Sequence, residues 1–344
     1  VNIALDATPL TMTSGGLPRY VSELTRALTV AFPEVRFALS SDQPFESVFP
    51  KLPGPKNWLE RRWWLHGAER VNHREGVALF HGTNFSVPYF PKRPTVMTIH
   101  DLSPWMNAEW HSGADRVRKR TPRMIGIATM IITPSEAVRA QVIDRFHVAP
   151  ERIVVTPLAA ADLFRPVIEP PERPYFLFVG TLEPRKNIPM LIEAWRKACR
   201  HQEFDLVLAG RRREDFPPIP WEPGLRILGE TPEERLPKLY SNAVAVIYAS
   251  QYEGFGLPVL EAMQCGAPVI VSHDAALTEV SGGAALQADT ASEMAEAMLA
   301  LYRDEKVRLL RSGLSLDRAR QFSWQATASK TYAVYGEAME RFGR

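Results

Sequence analysis

The stretch 243–272 (AVAVIYASQYEGFGLPVLEAMQCGAPVIVS) constrains the fold more tightly than any other part of the chain. Its first residues, Ala243 to Ala249, form a short continuous apolar run, the pattern of a strand buried on both faces of a parallel sheet. Glu253-Gly254-Phe255-Gly256 follows. Glycines one residue apart let the backbone turn tightly and bring main-chain N–H groups against a ligand. Pro258 suits the first turn of a helix, where its missing N–H costs nothing. That helix runs through Val259, Leu260, Glu261, Ala262 and Met263, and Gly266 and Pro268 break it. Val269-Ile270-Val271 is the next strand. Parallel strands joined through a helix define an α/β protein.

This layout carries a functional expectation. Glu253 lies at the carboxyl end of a strand and Glu261 in the first turns of the helix. Open α/β sheets bind ligands at the carboxyl ends of their strands, and a helix N-terminus favours phosphate. Carboxylates beside a phosphate seat make sense when the ligand also presents hydroxyls, because each carboxylate accepts two hydrogen bonds from a diol. A sugar nucleotide meets both requirements. Each feature alone also fits a plain reading, a dipole partner for Glu261 and a simple turn for the glycines.

A chain of 344 residues is too long for one comfortable core, so two domains are expected. A net charge of +2 makes no global demand for nucleic acid. Cys199 and Cys265 lack metal-ligand spacing and read as reduced thiols of a cytosolic protein. No apolar run approaches a membrane span.

In chain order, Asn2 to Ala7 is a strand, and Gly15-Gly16-Leu17-Pro18-Arg19-Tyr20 leads into a helix through Val21, Leu24 and Leu28. Strand, glycine turn and helix cradle a phosphate or form an ordinary turn. Residues 51–64 (KLPGPKNWLERRWW) interleave Trp58, Leu59, Trp63 and Trp64 with Lys56, Arg61 and Arg62. That pattern suits an anionic membrane, base stacking, or a helix packed by its tryptophans. Arg116, Arg118, Lys119, Arg120 and Arg123 form a second basic cluster. Ala78 to His81 and Thr95 to His100 are strands, each ending in a histidine, and Asp101 orients the second ring or caps a turn. Met130 to Thr133 and Ile153 to Pro157 are further strands, with Ser135 capping the helix between them. Residues 167–174 (VIEPPERP) read as the linker between domains.

The second half opens with Tyr175 to Gly180, followed by Thr181-Leu182-Glu183-Pro184-Arg185-Lys186-Asn187 and a helix through Ile188, Leu191, Ile192 and Trp195. Cations at a helix N-terminus are mildly unfavourable unless an anion sits between them, and diphosphate is the obvious one; a solvated surface pair is the plain alternative. Phe204 to Gly210 and Leu225 to Gly229 are strands, Ala291 to Arg311 reads as amphipathic helix, and Ser323 caps the last helix.

The string EGFGLPVLE, a Glu-x7-Glu motif, resembles the donor site of glycosyltransferase family 4. GTLEPRKN is similar to that family's diphosphate-binding segment, GGLPRY to its first glycine loop, and TIHDLSP to a segment whose histidine lies near the transferred sugar. The likeness covers nearly the whole chain, with one departure: Thr181 stands where many members carry arginine, so Arg185 is expected to supply the second cation. The resemblance implies the GT-B fold, two Rossmann-like domains facing a central cleft. Residues 1–166 would bind the acceptor, with a closing helix at about 323–344 crossing back onto them, and 175–322 would bind the nucleotide sugar. It implies His100, Arg185, Lys186 and Glu253 as catalytic residues. Gly15, Gly16, Arg185, Lys186, Glu253, Gly254, Phe255, Gly256, Leu257 and Glu261 would bind the donor, Glu261 through the ribose, and Arg19 and Tyr20 the acceptor. His81 is a weaker candidate.

The reaction so implied moves a hexose with retention of configuration and needs neither metal nor cofactor. Mannose from GDP-mannose is the first expectation, a UDP-hexose the alternative, and a GT-B epimerase of UDP-sugars a further one. The expected partners are a nucleotide sugar, a glycan or lipid-linked acceptor and an anionic membrane, not nucleic acid. The expected place is the cytoplasm, at the inner face of the plasma membrane.

Overall fold

The computed structural model describes residues 1–12, 15–110, 114–201 and 203–343, and for residues 108 and 201 the backbone alone. The chain divides into two compact units, Val1–Leu158 together with the segment from Ser323, and Ala159–Phe322.

The first unit is built on a six-stranded sheet of order β2-β1-β3-β4-β5-β6, every pair parallel. Its strands are β1 (Asn2–Asp6), β2 (Arg36–Ser40), β3 (Leu79–Gly82), β4 (Thr95–Thr98), β5 (Met130–Thr133) and β6 (Ile153–Val155). Their residues are almost all buried, because helices cover both faces of such a sheet. The sequence reading missed β2, an edge strand with only three apolar residues, Phe37 to Leu39, between Arg36 and Ser40. The helix Gly16–Ala31 buries Tyr20, Val21, Leu24, Thr25 and Leu28, one stripe at helical spacing.

The helix Trp324–Arg341 belongs to this unit, with Ser323 capping it by accepting from the Ala326 N–H. It is fastened by polar and aromatic contacts that only the fold creates. The Thr327 hydroxyl donates to the Pro157 carbonyl (2.6 Å), and Tyr332 stacks on Phe32. The Tyr335 hydroxyl meets His81 Nδ1 at 2.7 Å. His81 Nε2 in turn meets the Thr98 hydroxyl (2.8 Å), which is also bonded to Tyr20. Burial, aided by the neighbouring His100, pushes His81 down to about 3, so the ring is neutral and structural. His81 is therefore a buried tie between β3 and the closing helix, not a site residue.

The second unit has a six-stranded parallel sheet of order β12-β11-β10-β7-β8-β9. Its strands are β7 (Tyr175–Val179), β8 (Asp205–Ala209), β9 (Leu225–Gly229), β10 (Ala245–Tyr248), β11 (Val269–Val271) and β12 (Leu286–Gln287). This is the doubly wound Rossmann order. β12, two residues long at the sheet edge, was also missed.

Residues 159–166, expected in the first domain, belong to the second unit. The Gln264 amide donates to the carbonyls of Ala161 (2.9 Å) and Phe164 (2.8 Å), and the Phe164 ring meets Tyr240 edge-on. The Pro-rich stretch 167–174 lies on this unit as well. The Val167 N–H donates to Ser241 Oγ and the Glu169 N–H to Asn242 Oδ1. The amphipathic stretch expected from Ala291 to Arg311 is two helices, Ala291–Arg303 and Glu305–Ala319. Asp304 breaks it by accepting from the N–H groups of Lys306 and Val307 as an N-cap. Among the described residues no helix is long and apolar enough to cross a membrane.

Candidate active site

In the second sheet β7 and β10 are neighbours, and the chain winds away from them in opposite directions. The crevice outside their carboxyl ends is the topological switch point, where sheets of this kind bind ligands. The segment after β7 carries Arg185 and Lys186, and the segment after β10 carries Glu253 through Gly256. Topology thus brings together residues 67 and 68 positions apart in sequence.

Glu253 is buried and ionised among cations. Its Oε1 accepts from Lys186 Nζ and from Ser250 Oγ (2.7 Å), and its Oε2 from Arg185 at 2.8 Å. Burial by itself would raise this carboxyl, but Lys186 and Arg185 overcome that and hold it down at about 2. The network continues outward: Glu183 bridges Arg185 (2.7 Å) and Arg213 (3.2 Å). Cation and carboxylate alternate along Arg213, Glu183, Arg185, Glu253 and Lys186, all with largely buried side chains. Such a cluster holds its cations in place before any ligand arrives; burial and the neighbouring Arg185 lower the Lys186 ammonium, and Glu253 and Glu183 oppose that shift.

The loop that carries Glu253 is fixed from below. Asp274 accepts from the Leu277 N–H (3.0 Å) as a helix cap and from the Glu253 N–H (3.2 Å). Gly256 sits at the N-cap of the helix Leu257–Gln264 with φ 96°, and a Cβ there would lie 2.6 Å from a Leu277 methyl. Any larger residue would be strained at that φ and would have to displace the Leu277 methyl. Phe255 and Leu257 are buried, Phe255 against the edge of Phe322. Glu261 is 1% exposed, and its Oε2 accepts from the Tyr240 hydroxyl at 3.1 Å. The sequence reading singled out neither Glu183, Ser250, Arg213 nor Asp274. Only Asp274 left a local signal, an acidic residue just before a helix.

In the first unit Gly15 has φ 121° and forms the N-cap of Gly16–Ala31; Thr13 and Ser14, just before it, lie outside the described residues. Arg19 is half-buried in the first turn. Tyr20, expected at the acceptor, is not available to it. The side chain is 1% exposed, its hydroxyl is bonded to Thr98 at 3.0 Å, and its ring packs edge-on against His100. Helical spacing turns residue 20 inward with Leu24.

His100 stands just beyond β4, half-buried, with Nε2 against the Thr83 carbonyl at 2.8 Å. A carbonyl only accepts, so Nε2 carries the proton and Nδ1 keeps its lone pair. Burial lowers the ring's basicity despite the Thr83 bond and nearby Asp101, so it is neutral at pH 7. Asp101 itself accepts from the N–H and hydroxyl of Ser103, capping a turn rather than orienting the ring.

A family model described as Glycosyltransferase Family 4 matches residues 14–160, and one described as Glycosyl transferases group 1 matches 161–311. The chain is 33% identical to the O-antigen chain mannosyltransferase B of Escherichia coli, over 93% of this chain and 95% of that one. The protein belongs to glycosyltransferase family 4. It is 30% identical to an MMP alpha-(1->4)-mannosyltransferase of Mycolicibacterium hassiacum, over 67% of this chain and 59% of that protein. In fold this family 4 enzyme is similar to the sucrose-phosphate synthase of Thermosynechococcus elongatus (TM-score 0.80, 20% identity, 98% of each chain). Anabaena HepE, solved with UDP-glucose, is likewise similar (TM-score 0.78, 15% identity, 98% of this chain and 99% of that one). The fold is GT-B, and the protein is a glycosyltransferase of the hexosyl-transferring type.

Proposed function

We propose that the protein transfers mannose from GDP-mannose, with retention and without a metal, to a glycan or lipid-linked acceptor in bacterial polysaccharide assembly. The observation that carries this reading is the cluster of Arg185, Lys186 and Glu253 at the switch point of the second sheet. Arg185 and Lys186 meet the charge that develops on the leaving diphosphate, helped by the N–H groups at the start of the helix Leu257–Gln264. Glu253 lies beside them to receive sugar hydroxyls, and Glu261, buried and bonded to Tyr240 in this structure, would exchange that bond to serve the ribose. In this reading the incoming hydroxyl attacks on the face that the diphosphate leaves, and the diphosphate takes its proton. His100 offers a lone pair to a sugar hydroxyl. Mannose is favoured because the relatives above include mannosyltransferases of Escherichia coli and Mycolicibacterium hassiacum. A UDP-hexose is the alternative, since Anabaena HepE was solved with UDP-glucose.

Calorimetry of GDP, UDP and ADP and of their sugars, in chelator, is the test. GDP is expected to bind tightest and GDP-mannose tighter still. Preference for UDP replaces the donor, and binding of no nucleotide overturns the reading.

The same reading places the enzyme at an anionic membrane. The short helix Trp58–Arg62 is capped by Asn57 and none of its side chains is buried. Trp58 is 64% and Trp63 54% exposed, with Leu59 and Phe90 also outward, so these two tryptophans do not pack a core, while Trp64 is half-buried. Exposed aromatics beside Arg61 and Arg62 match the headgroup region of an anionic leaflet. Replacing both arginines by serine is expected to weaken binding to phosphatidylserine vesicles by about 2 kcal/mol, roughly 1 per charge. Turnover on a soluble acceptor should not change. Unaltered vesicle sedimentation returns the stretch to plain surface.

A further inference from the structure

We propose that the outer face of the helix Glu305–Ala319 binds a second copy of this chain, helix against antiparallel helix, about a two-fold axis.

The helix has a seated side and an exposed one. Ser315 and Ala319 are buried, and the Ser312 hydroxyl donates to the Gly266 carbonyl at 2.6 Å, just past the helix Leu257–Gln264. Three arginines turn toward their own unit. Arg308 donates to the Leu301 carbonyl, Arg311 to that of Gly283, and Arg318 to those of Val280 and Glu279. On the opposite side Leu309 is 63%, Leu310 62% and Leu314 38% exposed. Lys306, Gly313 and Asp317 are exposed as well. At helical spacing Lys306, Leu310, Gly313 and Asp317 form one line, with Leu309 and Leu314 on its two flanks. Leucines exposed singly need no explanation, but a contiguous apolar patch marks an interaction surface.

Gly313 is a second, independent sign. Glycine in a helix interior is destabilising relative to alanine. The unit's own packing does not require it, because a Cβ at Gly313 would meet nothing within 4 Å among the described residues. A flat spot between leucines instead gives a neighbouring helix a hole to enter.

Self-complementarity decides the partner. With the two-fold axis between Arg311 and Ser312, Leu310 faces Gly313 of the second copy, and Gly313 faces its Leu310. The same register sets Lys306 opposite Asp317 of the second copy at both ends of the patch. On the flanks Leu314 comes beside the second copy's Val307 and Leu309 beside its Leu316, both half-buried in this chain. One register thus matches knob to hole and cation to carboxylate, as an isologous interface demands. A parallel pair would set Lys306 on Lys306 and Asp317 on Asp317. An anionic membrane would call for cations around the leucines, whereas three arginines are turned to carbonyls of their own unit and Glu305 and Asp317 border the patch. A single pair of short helices is smaller than a permanent interface, so the dimer should be reversible and concentration-dependent.

Sedimentation velocity of the full chain over a range of concentrations, without lipid, is the test. The unaltered protein is expected to pass from monomer to dimer. Leu310→Glu buries two unpaired carboxylates beside the axis and should raise the dimer dissociation constant about tenfold or more. Lys306→Glu and Asp317→Lys each set like charges opposite one another twice per dimer and should weaken it several-fold. Both changes suit the helix dipole, and Asp317→Lys gives up only an exposed pair with Arg320, so neither should harm the fold. The two changes combined should restore the dimer. Residues 306 and 317 lie roughly 16 Å apart along one helix, too far to compensate within a chain, so rescue is particular to the antiparallel pair. Three results overturn the proposal: a monomer at every concentration, a dimer that Leu310→Glu leaves intact, or a combined variant no tighter than the single ones. A monomer whose binding to phosphatidylserine vesicles is lost in Leu310→Glu would give the face to lipid and overturn it too. If Leu310→Glu does not fold, the charge variants decide.

Discussion

Lys186→Ala is expected to reduce transfer by about 10²- to 10³-fold, the usual cost of removing one preorganised donor from developing negative charge. The loss should fall on kcat as well as on donor KM, because charge on the diphosphate grows as the sugar leaves. The variant should still fold. Glu253 keeps Ser250 and Arg185 as partners after Lys186 is gone, so its charge is not stranded. Steady-state kinetics beside a thermal melt separate the two effects. Transfer at a near-normal rate by Lys186→Ala would remove diphosphate from this place in the molecule.

Glu253→Ala is expected to have the largest effect on stability. It leaves Lys186 and Arg185 buried side by side without their shared counter-ion. Losing one partner of a buried ion pair costs about 3–5 kcal/mol. In a unit of this size that is a fall of roughly 10 °C in Tm. A nucleoside diphosphate supplies the missing negative charge, so it should raise the Tm of the variant more than that of the unaltered protein. An equal rise in both would mean that the cations do not face the phosphates.

The same pair sets a pH dependence. Glu253 is held at about 2, below its ordinary value of 4.5. A depressed carboxyl contributes stability that is complete above 4.5 and is lost as pH falls through 2. The contribution is about 3 kcal/mol. Glu253→Gln, measured by denaturant unfolding, should flatten the stability profile between those limits. A profile as steep as that of the unaltered protein would assign the acid sensitivity elsewhere.

The strands with unbroken apolar runs were legible to within a residue or two, Met130–Thr133 and Val269–Val271 among them, because a strand buried on both faces tolerates little else. β2 and β12 were not, because β12 is two residues long and β2 offers only Phe37, Ala38 and Leu39 as an apolar run. The site divides in the same way. Arg185 and Lys186 stood out because cations at a helix start oppose local electrostatic preference, and Glu253 because it opens a glycine turn at a strand's carboxyl end within a Glu-x7-Glu motif. Glu183, Ser250 and Arg213 raise no such objection and become visible only once β7, β8 and β10 are side by side. Tyr20 was misread because a motif match ignores which side of a helix a residue occupies.

By itself the sequence determined the α/β class, the two-part organisation and the motifs of the donor site. Each depends on neighbours within a few residues, where hydrophobic period, turn chemistry and helix ends act. Tertiary structure alone decided that the proline-rich stretch 167–174 lies on the second unit and that His81 is a tie to the closing helix. It alone made Glu253 the shared counter-ion of Lys186 and Arg185. These outcomes depend on burial and on pairings between distant strands, and no local pattern of residues encodes how much water a side chain will lose.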